Sequence, residues 1–199
     1  MYNLKCMDKK DILAENMPTS PTMTNFIANG AIYILGEFDS SISMNVIPRL
    51  VDLIQKKVSE KEPVINIYIN SYGGEAKELF GLLCLLQTAK NLGIKIITTV
   101  LGRACSCGSM LAVIGHERYM YKYAMHLAHL GIQSDAVTTN EQIERASKKW
   151  KWHFKQILDH YFVCTGCSKK KLEQILKDDS CWLTPEECIE YGFATEIIQ

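Results

Sequence analysis

The chain has 199 residues, 47% of them apolar, which is enough for one domain with a substantial core. Its 22 basic and 22 acidic side chains balance, so composition gives no electrostatic reason to expect a nucleic-acid or anionic-membrane partner. No apolar run reaches the roughly 18 residues of a membrane span, and the N-terminus lacks the order of a secretory signal, so we expect a soluble, cytoplasmic protein.

Residues 1–26 mix charge, proline and methionine without a clear period and are predicted to form a flexible arm, with the domain spanning residues 27–199. The apolar run at 31–35 is typical of a strand buried on both faces. A helix is predicted next, behind the caps Asp39 and Ser40. Its apolar stripe consists of Ile47, Leu50, Val51, Ile54 and Val58.

Two more strand and helix units follow in the sequence. The run at 64–70 is the second predicted strand; it is broken by S-Y-G-G at 71–74, and leucines between 79 and 86 form the stripe of the next helix. The run at 94–100 is the third strand, followed by an apolar segment over 110–114. This alternation implies right-handed crossovers and an α/β fold with a mostly parallel sheet covered by helices.

The C-terminal third of the chain is predicted to be mainly helical. Thr138 and Glu141 form a capping box that opens a long helix. Its stripe consists of Ile143, Ala146, Trp150, Phe154, Ile157 and Tyr161. Trp152 lies off this stripe, which suggests a subunit contact. A second capping box, Thr184 with Glu187, opens a short helix near the C-terminus.

The eight cysteines do not form the dense framework of a small secreted domain, so we expect reduced thiols. Cys164 and Cys167 form a C-x-x-C pair, which raises a zinc or redox site as an alternative. Cys181 and Cys188, however, have six residues between them, whereas a zinc knuckle uses two close pairs. We therefore expect no metal, and interpret these cysteines as small buried apolar residues.

Two strand-to-helix turns have the features of a binding site, because ligands of a parallel sheet gather at the carboxyl ends of its strands. In the turn at 71–74, adjacent glycines permit positive φ angles and leave backbone N–H groups facing outward. In "GRACSCGSMLA", Ser106 lies between a strand and an apolar helix, with Gly102 and Gly108 permitting a tight bend. A serine there suits a nucleophile, although the same position is a common structural N-cap.

Two histidines downstream are candidate bases for this serine. The apolar strand "YAMHLAHLG" carries His126 and His129. Strand side chains three residues apart point to opposite faces, so only one of the two histidines can face Ser106.

These motifs, taken in order, resemble the Clp proteolytic subunit (ClpP) family over roughly residues 27–198. "YINSYGGEA" is similar to its glycine-bearing strand end, "GRACSCGSM" to its nucleophile turn, and "WLTPEECIEYGFATEI" to its C-terminal helix and strand. The helix over 140–163 and "TGCSKKKLEQI" after it are similar to the family's handle helix and the segment beyond. The resemblance implies a crotonase-like fold with a protruding handle helix, and peptide-bond hydrolysis by a serine endopeptidase without metal or cofactor.

The resemblance also implies roles for individual residues. Ser106 would be the nucleophile, and the backbone N–H groups of Gly74 and Cys107 would bind the oxyanion. Cys107 stands where the family has methionine; because only its backbone would act, that departure should be mild. Aligning Arg118 with the family's arginine brings His129 onto the catalytic histidine without a gap in the strand.

His126 remains the alternative base, but using it would require a deletion inside the strand, which would turn every later side chain to the other face. For the third catalytic residue, the family's aspartate falls at Ser180. Asp179 is the predicted choice, since a loop can absorb a one-residue shift, and Asp178 and Ser180 stay open as alternatives.

The resemblance further implies a homo-oligomeric ring, commonly two stacked heptamers, with an ATP-driven AAA+ unfoldase as partner. Peptides or unfolded proteins would be the substrates, and hydrolysis itself would not need ATP. Three alternatives stay open: a catalytically inactive ring-forming scaffold, a phage-type head-maturation peptidase of the same superfamily, and an acyl-CoA enzyme of the crotonase fold.

Overall fold

The computed structural model describes residues 25–131, 139–178 and 181–199. Within them, one sheet of eight strands forms the centre of the fold. The strands are β1 (Asn25–Ala28), β2 (Ala31–Ile34), β3 (Val64–Ser71), β4 (Lys95–Cys105), β5 (Glu117–Tyr121), β6 (Met125–Leu127), β7 (Trp182–Leu183) and β8 (Glu196–Ile198).

Helices connect and cover these strands. A π-helical turn (Ile42–Val46) runs directly into α1 (Ile47–Lys57). The others are α2 (Ala76–Asn91), α3 (Cys107–Ala112), α4 (Asn140–Thr165), α5 (Lys169–Lys177) and α6 (Pro185–Glu190). Within the described ranges, no helix combines the length and the apolar character needed to cross a membrane.

The sheet is mixed but mostly parallel, which confirms the predicted fold class. Its order is β1-β2-β3-β4-β5-β8, and β6 adds beside the C-terminal end of β4 and pairs in turn with β7. The β1–β2 and β6–β7 pairs are antiparallel, and all other pairs are parallel. Because β3, β4 and β6 run in one direction, their carboxyl ends meet at one edge.

The core lies between the sheet and the stripes of its helices. In α2, Leu79, Leu82 and Leu86 are fully buried, as predicted from their spacing. In α1, Leu50 and Ile54 are buried, whereas Val51 and Val58 are exposed and the prediction for them was wrong. Val51 is turned about 100° from Leu50 around the helix, and Val58 is the residue that ends it.

Two predicted boundaries shift in the structure. β1 begins at Asn25, two residues before the predicted domain start at 27. The capping box of α4 is formed by Thr139 and Gln142, each side chain bonding the other's backbone, and not by Thr138 and Glu141. Threonine three residues before a glutamate or a glutamine fits the motif equally, so spacing could not choose between them. Thr138 and residues 1–24 lie outside the described residues.

Only the C-terminal half of α4 packs against the rest of the chain. Ile157, Leu158 and Tyr161 are buried, as the helical spacing predicts for the first and last of them. In the N-terminal half, Ile143 and Trp152 are 51% and 61% exposed. A single chain therefore leaves large apolar groups uncovered along this part of α4.

Candidate active site

The turn between β4 and α3 bends at the serine itself. β4 runs up to Cys105 and α3 begins at Cys107, so Ser106 is the one residue between them. Its φ of 54° and ψ of −118° are those of the first central position of a type II′ turn, which favours glycine. The predicted role of Gly102 and Gly108 in the bend is wrong: Gly102 lies inside β4 and Gly108 inside α3.

Hydrogen bonds on both sides of Ser106 hold this conformation. Its N–H donates to the carbonyl of Leu127 in β6 across 2.9 Å, and its carbonyl accepts from Met110 across 3.1 Å. Backbone in such a sparsely populated region costs about 1–3 kcal/mol, which the surrounding structure has to offset. The serine is therefore fixed between the end of β4, the start of α3 and the end of β6.

The two glycines after β3 make a close approach to this turn. Gly73 has φ of 108°, and a Cβ there would lie 2.6 Å from the Cβ of Ser106. Gly74 has φ of 138°, and a Cβ there would lie 2.5 Å from the carbonyl oxygen of Phe38. The predicted positive φ angles are confirmed; the lack of a side chain at Gly73 lets the backbone lie against Ser106, and the lack of one at Gly74 lets it lie against Phe38.

One of the two glycine N–H groups is used within the turn. Gly73 donates to the Ser71 hydroxyl across 3.1 Å, so it does not face outward as predicted. The backbone of Gly74 and of Cys107 hydrogen-bonds to the Cys107 thiol, which partly offsets the effect of burial on the pKa of that thiol. Gly73 lies so close to Cys107 that its Cβ would be 3.2 Å from the Cys107 nitrogen. The start of α3 therefore borders the backbone of the two glycines after β3.

The thiols on either side of Ser106 are buried. Burial raises the pKa of Cys105 and of Cys107 to about 11, so both thiols are protonated at neutral pH. The Cys107 side chain also makes two contacts within the turn: its thiol donates to the Gly74 carbonyl across 3.2 Å, and it shares a hydrogen bond with Ser106. Cys107 therefore contributes its side chain to the turn as well as its backbone.

The two histidines lie in different environments. His126 is 1% exposed, with its Nε2 lying 2.6 Å from the Ser109 hydroxyl, and burial lowers its pKa to about 3. Burial alternates along this stretch: Ala124, His126 and Ala128 are buried, while the residues between them and His129 are not. His126 is therefore a neutral core residue, and His129 falls in the opposite phase, as strand alternation requires.

His129 follows closely after the residue of β6 that bonds the serine turn. β6 pairs with β4 so that Leu127 lies opposite Cys105, and Leu127 accepts the Ser106 N–H. His129 follows two residues later and is half-buried. The predicted strand here is shorter than expected, since β6 ends at Leu127.

The predicted third residue, Asp179, lies outside the described residues, as does Ser180. The backbone on either side of residues 179 and 180 is held beside β6 by pairing and hydrogen bonds. The carbonyl of Leu176 accepts from the N–H of Leu130 across 3.2 Å, and Trp182 pairs with Leu127. Asp178 follows α5 directly and is exposed.

Side chains that the sequence analysis did not identify hold the other end of α3. Four other elements supply groups that bind the carbonyls at and beyond its last turn. These groups are Thr98 of β4 (to Ala112, 2.6 Å), Lys90 of α2 (to Ile114, 3.0 Å), Arg118 of β5 (to Gly115, 2.9 Å) and His160 of α4 (to Met110, 2.8 Å). The helix that follows the serine is thus anchored at both ends.

A comparison with known protein families identifies the family of this chain. The family described as Clp protease matches residues 15–199. The chain belongs to the Clp protease family. The family resemblance of the motifs is thereby confirmed, and a Clp-type peptidase is the activity that this membership supports.

Curated members of the Clp protease family match over most of this chain. The ATP-dependent Clp protease proteolytic subunit of Lactococcus lactis subsp. cremoris is 27% identical, covering 84% of this chain and 82% of the relative. Proteolytic subunit 2 of Tropheryma whipplei is also 27% identical, covering 90% and 97%. Proteolytic subunit 2 of Thermobifida fusca is 25% identical, covering 94% and 92%.

The C-terminal cysteines pack against the core of this Clp protease family member. Cys188 is fully buried, while Cys164, Cys167 and Cys181 are partly buried against the core. The cysteines at positions 84 to 188 are free thiols. Within the described ranges, no three His, Cys, Asp or Glu side chains group closely enough to hold a metal ion.

Proposed function

We propose that this member of the Clp protease family is a serine endopeptidase with Ser106 as its nucleophile. The observation that carries the proposal is the backbone of Ser106, which is held at a φ of 54° directly before α3 and against the backbone of Gly73. Strained backbone of this kind persists where function requires it. A hydroxyl presented at such a turn, beside donors for an oxyanion, is suited to attack a peptide carbonyl.

His129 acts as the general base in this proposal. The position of Leu127, which binds the Ser106 N–H and precedes His129 by two residues, supports that role. The burial of His126 and its hydrogen bond to Ser109 argue against the alternative base. A base that accepts the serine proton must reach the hydroxyl, and a fully buried side chain bonded elsewhere does not offer that.

The reaction proceeds in two halves. His129 takes the proton of Ser106 as the serine oxygen bonds to the substrate carbonyl carbon, and the resulting oxyanion accepts hydrogen bonds from the N–H groups of Gly74 and Cys107. His129 then gives the proton to the leaving amine, and the peptide C–N bond breaks to leave an acyl-enzyme. Water, deprotonated by His129, attacks the ester carbonyl and releases the acid and the free serine. No step requires a metal or a cofactor.

Asp179 is the proposed partner that orients His129 and stabilises its charged form. The support is positional: five residues, 177–181, separate Leu176, which bonds Leu130 directly after His129, from Trp182, which pairs with Leu127 two residues before His129. Asp178 and Ser180 lie in the same segment and are the alternatives.

We also propose that the subunit works in the cytoplasm within a homo-oligomeric ring, fed with unfolded chains by an ATP-driven AAA+ unfoldase. The names of the relatives, which describe ATP-dependent Clp protease subunits, support the unfoldase. The exposed Ile143 and Trp152 on α4 support a subunit contact. Peptide hydrolysis itself uses no ATP in this scheme, since no step of it involves a nucleotide.

The test is hydrolysis of a short fluorogenic peptide, together with labelling by a fluorophosphonate probe. Ser106→Ala should lose at least about a thousandfold in turnover and all labelling, while the assembled mass stays unchanged. Ser59→Ala is the matched control, because Ser59 is an exposed serine far along the chain from the turn. An assembled wild type that neither hydrolyses peptide nor takes up the probe would instead favour the inactive scaffold.

A further inference from the structure

A second serine and histidine pair lies in the core, close to the first. Ser109 follows Ser106 by three residues, and His126 precedes His129 by three. The Ser109 hydroxyl lies 2.6 Å from Nε2 of His126 and 2.7 Å from the hydroxyl of Tyr161. The exposed fractions of Ser109, His126 and Tyr161 are 0%, 1% and 0%. No substrate can therefore reach this buried chain of hydrogen bonds.

The row of hydrogen bonds from Tyr161 through Ser109 to His126 joins three elements of the site. Ser109 belongs to α3, which begins directly after the nucleophile; His126 belongs to β6, which leads to His129; and Tyr161 belongs to α4. The rings of His126 and Tyr161 both pack on Phe193, with centroid distances of 5.0 and 5.5 Å. Each polar group therefore sits in apolar surroundings, where a hydrogen bond is costly to leave unmade.

Among the described residues, this row of hydrogen bonds is the second of two attachments between β6 and the segment made of Ser106 and α3. The first is the bond from the N–H of Ser106, the residue before α3, to the Leu127 carbonyl, 2.9 Å long. Ser106 is three residues before Ser109, and Leu127 is one residue after His126. The groups that bind the far end of α3 come from β4, α2, β5 and α4, so among the described side-chain bonds the one from Ser109 to His126 is what ties the helix itself to β6, the strand that leads to His129. With Ser109 bonded to His126, one turn further into α3, the helix is held at two points on the same strand.

We infer that Ser109, His126 and Tyr161 are positioning residues that set the separation between the Ser106 hydroxyl and the His129 ring. The inference rests on the proposed serine mechanism. Proton transfer from serine to histidine needs a heavy-atom separation of about 2.6–3.2 Å. A displacement of about 1 Å at a reacting group can cost about a hundredfold in rate. Fixing α3 against β6 therefore bears directly on turnover.

Two variants test the inference at graded strength. Tyr161→Phe keeps the ring against Phe193 and removes one hydrogen bond, whereas Ser109→Ala severs both. We expect kcat to fall about threefold to tenfold for Tyr161→Phe and about tenfold to a hundredfold for Ser109→Ala, with KM nearly unchanged. The rate of fluorophosphonate labelling at Ser106 should fall by the same factors, because it depends on the same alignment and not on peptide binding.

Thr165→Val is the matched control, because it removes a hydroxyl at a different point of α4. The Thr165 hydroxyl donates to the Tyr161 carbonyl across 2.7 Å and accepts from the Cys167 N–H across 3.1 Å, and the change is isosteric. The control should lower the melting temperature while leaving the labelling rate within twofold of wild type.

Three outcomes would overturn the inference. If Ser109→Ala and Tyr161→Phe lower the melting temperature as the control does but keep wild-type labelling and kcat, the chain only stabilises the core. If Ser109→Ala fails to fold, an unchanged labelling rate in Tyr161→Phe overturns the inference by itself. A wild type that is not labelled at all overturns the proposed serine mechanism, and the positioning role with it.

Discussion

A side chain on Gly73 would place its Cβ 2.6 Å from the Cβ of Ser106, closer than such atoms approach one another in folded proteins. The same atom would lie 2.9 Å from the carbonyl of Cys105. The backbone after β3 and the serine turn after β4 are therefore in direct contact, and either one can move only if the other does.

Gly73→Ala is expected to reduce peptide hydrolysis by at least about a hundredfold, because the new methyl group must push the serine turn aside. Gly93→Ala is the matched control: its φ of 83° is also positive, but a Cβ there meets nothing within 4 Å. Both variants should lose about 1 kcal/mol or more in unfolding free energy through backbone strain. Equal activity in the two variants would show that contact with Ser106 is unimportant.

His129→Ala is expected to lose at least about a thousandfold in turnover and to keep a melting temperature near that of wild type, because His129 is half-buried and acts as the base. His126→Ala should instead unfold more easily, since it leaves a cavity and an unpaired Ser109 hydroxyl in the core. Peptide hydrolysis and thermal unfolding measured on both variants check this. A folded, inactive His126→Ala beside an active His129→Ala would reverse the assignment.

Asp179→Asn is expected to cut turnover by at least about a hundredfold, because it removes the carboxylate that stabilises charged His129. Asp178→Asn is the matched control, one residue earlier, and should change turnover less than threefold. Steady-state kinetics with the fluorogenic peptide distinguish them. Wild-type rates in both variants would indicate a Ser106–His129 dyad without a third residue.

The stability of the fold should fall in acid because of His126. Burial depresses its pKa to about 3 in the folded state, below the value of about 6.5 in the unfolded chain. The stabilisation is therefore complete above pH 6.5 and is lost as the pH falls toward 3, by up to about 1.4 kcal/mol per pH unit. Urea unfolding of wild type and His126→Gln between pH 7 and 4.5 checks this.

His126 bonds Ser109, which in turn bonds Tyr161, and both hydroxyls are neutral. Burial raises the pKa of Tyr161, so no neighbouring charge should offset the effect of His126. The histidines at 116, 153 and 160 also have lowered pKa values and contribute to the total slope. The expected signal is therefore the difference between wild type and His126→Gln in the slope of unfolding free energy against pH. Identical slopes for wild type and His126→Gln would contradict it.

Trp152→Glu is expected to weaken assembly more than folding, because Trp152 is 61% exposed on α4 and contributes little to the core of one chain. Ser147→Glu, at another exposed position of α4, controls for the added negative charge. Sedimentation velocity gives the assembled mass, and thermal unfolding gives the stability. The idea fails if Trp152→Glu sediments like the wild type.

The sequence predicted those parts of the fold whose pattern is local. The strands at 31–35, 64–70 and 94–100 and the leucine stripe of α2 appear as expected, because apolar spacing reports burial directly. β5 and β7 were not predicted as strands, since each is short and is defined by its neighbour in the sheet. Pairing between distant segments leaves no period in the sequence.

The site was predictable where chemistry restricts the residue type. Adjacent glycines, and a serine between a strand and a helix, are recognisable in one dimension. The bond between Ser109 and Tyr161 was not, because the two residues are 52 residues apart in sequence and meet only through the packing of α3 against α4. The bend was assigned to Gly102 and Gly108 because glycine usually takes unusual torsion angles, whereas here the serine takes them.

The unusual torsion angles of Ser106 also determine when this chain can act. A serine in an unfolded chain rarely visits a φ near 54°, and here it does so only with Leu127, Gly73 and α3 in place. The reactive geometry is therefore a product of completed folding. On the proposed mechanism, a nascent or heat-damaged copy of this chain would carry every catalytic side chain and still present no competent hydroxyl, so an unfinished subunit would not hydrolyse peptides.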